Sequence, residues 1–111
     1  MEDINFDFVI ENISNMEDES VKAGVLCELV KGIINSDEDK DTILKRIDTI
    51  LDIAESFKDQ RYKSIVIGQI ALVCANYMGI PCDSDTYIGM IDGAEAEKRF
   101  VERITKLKKE I

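Results

Sequence analysis

Apolar residues recur along most of the chain at the three-and-four spacing of amphipathic helices. Phe6, Val9, Ile10 and Ile13 share one such face, broken at Asn15-Met16-Glu17-Asp18. Val21, Val25, Leu26, Leu29, Val30 and Ile33 form the next, with Lys22, Glu28 and Lys31 off the seam. The third stripe is the most regular: Ile43, Leu44, Ile47, Ile50, Leu51, Ala54 and Phe57, faced by Lys45, Arg46, Asp48, Asp52 and Glu55. It predicts a surface helix with one buried side.

From about Asp59 to Met78 the apolar positions run almost all the way round: Tyr62, Ile65, Val66, Ile67, Ile70, Ala71, Leu72, Val73, Cys74, Tyr77 and Met78. A helix of that kind needs neighbours on several sides, which predicts the central element of the fold. The β-branched cluster Ile65-Val66-Ile67 also fits the start of a buried strand. Gly79 and Pro81 supply the stop. A short segment from Asp83 through Ile91 follows, and a last helix carries Phe100, Val101, Ile104, Leu107 and Ile111 on one face. Asp18 or Ser20 is the expected N-cap of the second helix. Ser36-Asp37-Glu38-Asp39 has the form of a capping box before the third.

A shift of 41 residues lays Val9–Val30 over Ile50–Ala71, matching Asp18 to Asp59 as well as the apolar spacing. A second shift, of 34, lays Phe100-Val101 over Val66-Ile67 and Ile104 over Ile70, on helical periodicity alone. The stretch IAESFKDQRYKSIVIGQIALVCANYMG resembles the helix–turn–helix units of tetratricopeptide and HEAT-type α-solenoids, and repeats of prokaryotic helical proteins. It lacks the tetratricopeptide Trp, and Ser56 or Ala54 matches the small residue only approximately. The resemblance implies an architecture class and carries no binding residue with it. The expected fold is all-α, about six helices as three stacked antiparallel helical hairpins at roughly 3–34, 39–79 and 84–109 in one domain spanning 1–111. The stack is either α-solenoid-like or a compact orthogonal bundle.

Length supports this, since 111 residues bury a real core without disulfides or metals. One Pro and six Gly leave little turn chemistry for a many-stranded sheet. The acidic opening MEDINFDF has no basic n-region and no apolar run is long enough to span a bilayer, so a soluble, cytoplasmic chain without a membrane partner is expected. Net charge is −9, with 13 acids and 5 bases in residues 1–50 against 4 acids and 6 bases in residues 93–111. That acidity repels phosphates and disfavours nucleic acid as a partner.

Candidate chemistry is sparse. The chain has no histidine, so the commonest general base is missing, and no phosphate-binding, nucleophile-elbow or zinc-protease motif occurs. No catalytic residue, cofactor or metal is therefore expected. Cys27, Cys74 and Cys82 read as buried thiols, with a Cys74–Cys82 or Cys27–Cys74 bridge as the alternative. Asp37, Asp39 and Asp41 have the spacing of the first calcium-loop ligands, but Thr42 stands where Gly is needed and no terminal Glu follows. Helix capping explains them more simply.

Lys98, Arg99, Arg103 and Lys106, with Lys108 and Lys109, form a basic set that is either a partner surface or a face docked against the acidic body. The expected function is a non-catalytic helical-repeat module for protein–protein interaction or self-association. The alternative is a small-ligand or regulatory helical domain with a pocket near Tyr62, Tyr77 and Cys74.

Overall fold

The computed structural model describes residues 6–78 and 95–110, and every regular element among them is a helix. These are α1 (Phe6–Ser14), α2 (Glu19–Ile34), α3 (Lys40–Glu55), α4 (Gln60–Met78) and α5 (Glu95–Glu110). The short segment expected at Asp83–Ile91 lies outside the described residues, as do Cys82 and the side chain of Tyr77. No helix of the described residues is long and apolar enough to cross a membrane.

The helices begin where side-chain oxygens can replace missing backbone acceptors. Asp18 caps α2, accepting from the amides of Ser20 at 2.9 Å and Val21 at 3.4 Å. Asp59 accepts from the Arg61 amide at 2.9 Å at the start of α4. Asp39 caps α3 through the Thr42 amide at 2.8 Å. The capping box expected from Ser36 is therefore corrected. Its hydroxyl donates instead to the Ile33 carbonyl at 2.6 Å, closing the end of α2. That bond leaves Asp39 as the nearest acceptor for the next helix.

The core draws on all five helices. Ile13, Leu26, Val30, Ile47, Ile50, Leu51, Val66, Ile67, Ile70, Val101 and Ile104 are essentially inaccessible. Each such side chain contributes roughly 1.5–3 kcal/mol of transfer free energy. The α3 stripe behaves as its periodicity predicts, with Ile43, Leu44, Ile47, Ile50, Leu51 and Ala54 all buried. In α2 the seam rotates: Val21 is 51% exposed, and Ala23 and Ile34 join Leu26, Leu29, Val30 and Ile33 inside. Cys27 and Cys74 are not bridged to each other.

Two pairings set the directions of the helices. The Glu19 carboxylate in the first turn of α2 accepts from the Lys58 and Asp59 amides, both at 2.8 Å. Lys22 lies over the Phe57 ring, 5.7 Å from its centroid. Both contacts join the N-terminal ends, so α2 and α4 run side by side in the same sense. Lys40 pairs with Glu97, and Arg103 reaches Asp48, Asp52 and Glu55, so α5 runs along α3 in the same sense too. α3 packs on both α2 and α4. The molecule is a slab with extents of 41, 36 and 19 Å, the shortest matching two helix layers. Its radius of gyration, 13.7 Å, sits near the roughly 13 Å of a compact chain this long.

Ser14 and Glu55 end α1 and α3, and Glu19 and Gln60 begin α2 and α4, each pair 41 positions apart. The same offset relates buried positions: Ile13 to Ala54, Leu26 to Ile67, Leu29 to Ile70, Val30 to Ala71 and Ile33 to Cys74. α5 follows a different rule. In a third stacked hairpin the last helix would run opposite to α3, whereas α5 runs with it.

Candidate functional site

Two surfaces carry the features of interest. The first is the seam between α3 and α5. Phe100, Val101, Ile104 and Leu107 bury one face of α5 against the core, and this docking turns Arg103 towards α3. There its guanidinium bonds Asp52 Oδ1 at 2.6 Å, the Asp48 carbonyl at 3.3 Å, and the carboxylates of Asp48 and Glu55. Asp48, Asp52 and Glu55 follow one edge of α3 at helical spacing, so one planar cation spans nearly two turns. Burial works against the charged guanidinium. Hydrogen bonds donated to Glu55, Asp52 and Asp48 outweigh it and push its pKa up. Lys40 and the buried Glu97 clamp the other end of the seam.

Of the four basic residues singled out in the sequence, the fold thus separates one from the rest. Arg103 is engaged with the acidic edge of its own chain, while Lys98, Arg99 and Lys106 are exposed. Arg99 borders a groove of about 430 Å³ lined also by Leu44, Lys45, Asp48, Phe100 and Arg103. Its floor is apolar, from Leu44 and Phe100, and its rim is charged. The acidic partners of Arg103 could not be assigned from the sequence. They sit 48 to 55 positions away, in a chain where carboxylates are everywhere.

The second surface is the outer face of α4. Its inner positions Val66, Ile67, Ile70 and Cys74 are inaccessible. Neighbours meet this helix on several sides, but one stripe stays open: Ile65 is 54% and Leu72 56% exposed. Between them Gly68 faces open space, with no atom within 4 Å of where a Cβ would stand. Ala75 and Asn76 continue the exposed face. The reason is the layered packing. α2, α3 and α5 all pack on α4, and none of them covers the stripe of Ile65 and Leu72. The only charged residues of α4 are Arg61 and Lys63, and it carries no carboxylate.

Burial pushes the Cys27 thiol up, away from a reactive thiolate. Among the described residues no group of three or more His, Cys, Asp or Glu side chains could hold a metal ion. Cys74 is buried in the core and Tyr62 packs against it from the edge. No protein-family model matches the chain, and no curated protein or solved structure matches it either.

Proposed function

We propose that the chain is a non-catalytic helical module that docks a protein surface, either another protein or a second copy, on the layer formed by α2 and α4. The observation that carries this reading is the α4 stripe. Ile65 and Leu72 stand more than half exposed on a helix whose opposite face is sealed. Large aliphatics paired across an open glycine are what a docked helix or sheet would cover. The 41-residue correspondence between α1–α2 and α3–α4 supports a two-hairpin stack, in which a layer of like-directed helices presents a continuous face. The exposed Lys98, Arg99 and Lys106 offer a second, cationic surface on α5.

The test is site-directed photocrosslinking in the native cell, with the crosslinker at Leu72 and, in parallel, at Lys106. A discrete protein adduct from position 72 supports docking on α4. An adduct from position 106 alone would move the site to α5, and the absence of both would remove the reading.

The 430 Å³ groove favours a second reading, a small-ligand or regulatory helical domain. Its volume falls in the range of ligand sites, and its place between α3 and α5 differs from the Tyr62–Cys74 region that the sequence suggested. Arg103 already has carboxylate partners there, so Arg99 and Lys45 would have to supply the recognition. Ligand-induced changes in their NMR signals would distinguish this reading from docking on α4.

A further inference from the structure

Resting on the docking reading above, we infer that the partner of the α4 face is a second copy of this chain, and that two α4 helices cross antiparallel beside Gly68. A two-fold interface uses the same patch twice, so its residues must be complementary to themselves. The α4 stripe has that property. A two-fold axis between Gly68 and Gln69 exchanges Ile65 with Leu72, so each copy sets an exposed aliphatic against the other's. The same axis sets each Gly68 opposite Gln69 of the other copy and one position from the other glycine, where the open space above each permits close backbone approach. Arg61 falls opposite Asn76 of the second copy, and no like charges oppose along the seam.

Charge favours this face over those rich in carboxylates. A chain of net charge −9 repels its own copy. α4 lacks carboxylates and carries two cations, so little of that repulsion arises where two α4 helices meet. Antiparallel crossing also opposes the two helix dipoles favourably. A stable interface needs about 800 Å² per partner, within the bounds of a molecule with extents of 41 and 36 Å.

Sedimentation of the full chain should give twice the monomer mass of 12.6 kDa at micromolar to hundred-micromolar concentration. Ile65→Lys and Leu72→Glu should each be monomeric with unchanged helical circular dichroism. Mixing the two should restore a dimer, because the axis sets residue 65 of one copy against residue 72 of the other. Gly68→Leu, which meets nothing in its own chain, should break the dimer without unfolding it. A wild-type chain that stays monomeric overturns the inference, as does a dimer indifferent to Gly68→Leu or a mixture that fails to reassociate. A monomer that still crosslinks from position 72 to a different protein overturns self-pairing and leaves the docking reading standing.

Discussion

Glu19 and Asp59 are 40 positions apart, yet the Glu19 side chain accepts the Asp59 backbone amide at 2.8 Å and the adjacent Lys58 amide at the same distance. One carboxylate from the first turn of α2 thereby satisfies two amides at the entrance to α4. These bonds hold the Glu19 carboxyl below the ordinary glutamate range, the Lys58 amide acting most strongly and the Asp59 amide next. Depressed carboxylates stabilise the fold above their unfolded pKa and lose that contribution as pH falls through the folded value. The same sign holds for Asp18, lowered by the Ser20 hydroxyl and the Ser20 and Val21 amides, and for Asp39, lowered by Thr42. Stability should therefore be flat above about pH 5 and fall towards pH 3. Glu19→Gln should lower the melting temperature at neutral pH and shallow the acid limb, as read by thermal melts across that range.

Arg103 ties the α3/α5 seam together, so its removal tests the docking of α5. Arg103→Ala leaves Asp48, Asp52 and Glu55 facing one another without their shared cation. These partners are substantially exposed, which limits each pair to a fraction of a kcal/mol in water. The network as a whole should be worth about 1–2 kcal/mol. Urea unfolding should show that loss in low salt, and a smaller one in 1 M salt, where the Debye length is about 3 Å. Arg103→Lys should recover only part of it, since an ammonium cannot span three carboxylates as the planar fork does.

The residues that could be read from the sequence are those whose neighbours lie within one helix. The α3 stripe needs only its own periodicity, and Ile43 through Ala54 are buried as that spacing requires. Asp18 is recognisable as a cap because its partners are two and three residues away. Glu19, Arg103 and Val21 were not legible, because the packing of other helices decides what each one meets. Ser36 shows the same limit at short range: two local partners compete for its hydroxyl, and the sequence pattern names only one. For α4, apolarity on every side specified burial but not which side would stay open. That open side, from Ile65 to Leu72, became visible only with the layers in place.

Contrasting substitutions within α4 separate its two faces. Ile70 is fully buried, so Ile70→Ala should cost about 2–5 kcal/mol through lost transfer free energy and a residual cavity. Ile70→Asp should abolish folding, since a buried unpaired carboxylate has no compensation there. Ile65→Ala, on the exposed face, should change monomer stability by no more than about 0.5 kcal/mol. Urea unfolding of the three variants at low protein concentration provides the comparison. Equal losses at positions 65 and 70 would contradict the burial pattern.

Two helical glycines, Gly24 and Gly68, make the sharpest comparison, because at neither does any atom lie within 4 Å of the place a Cβ would take. In a helix interior, replacing Gly with Ala removes backbone freedom from the unfolded chain and stabilises by about 0.5–1 kcal/mol. Gly24→Ala, on α2, should show that gain in full, raising the urea midpoint at every protein concentration. Gly68→Ala should show it only in dilute solution. At high concentration the added methyl stands between the two α4 backbones and weakens their pairing, so the gain should shrink or reverse. Stability measured over a hundredfold range of protein concentration separates the two effects. A concentration-independent gain at both glycines would mean that α4 meets no second copy.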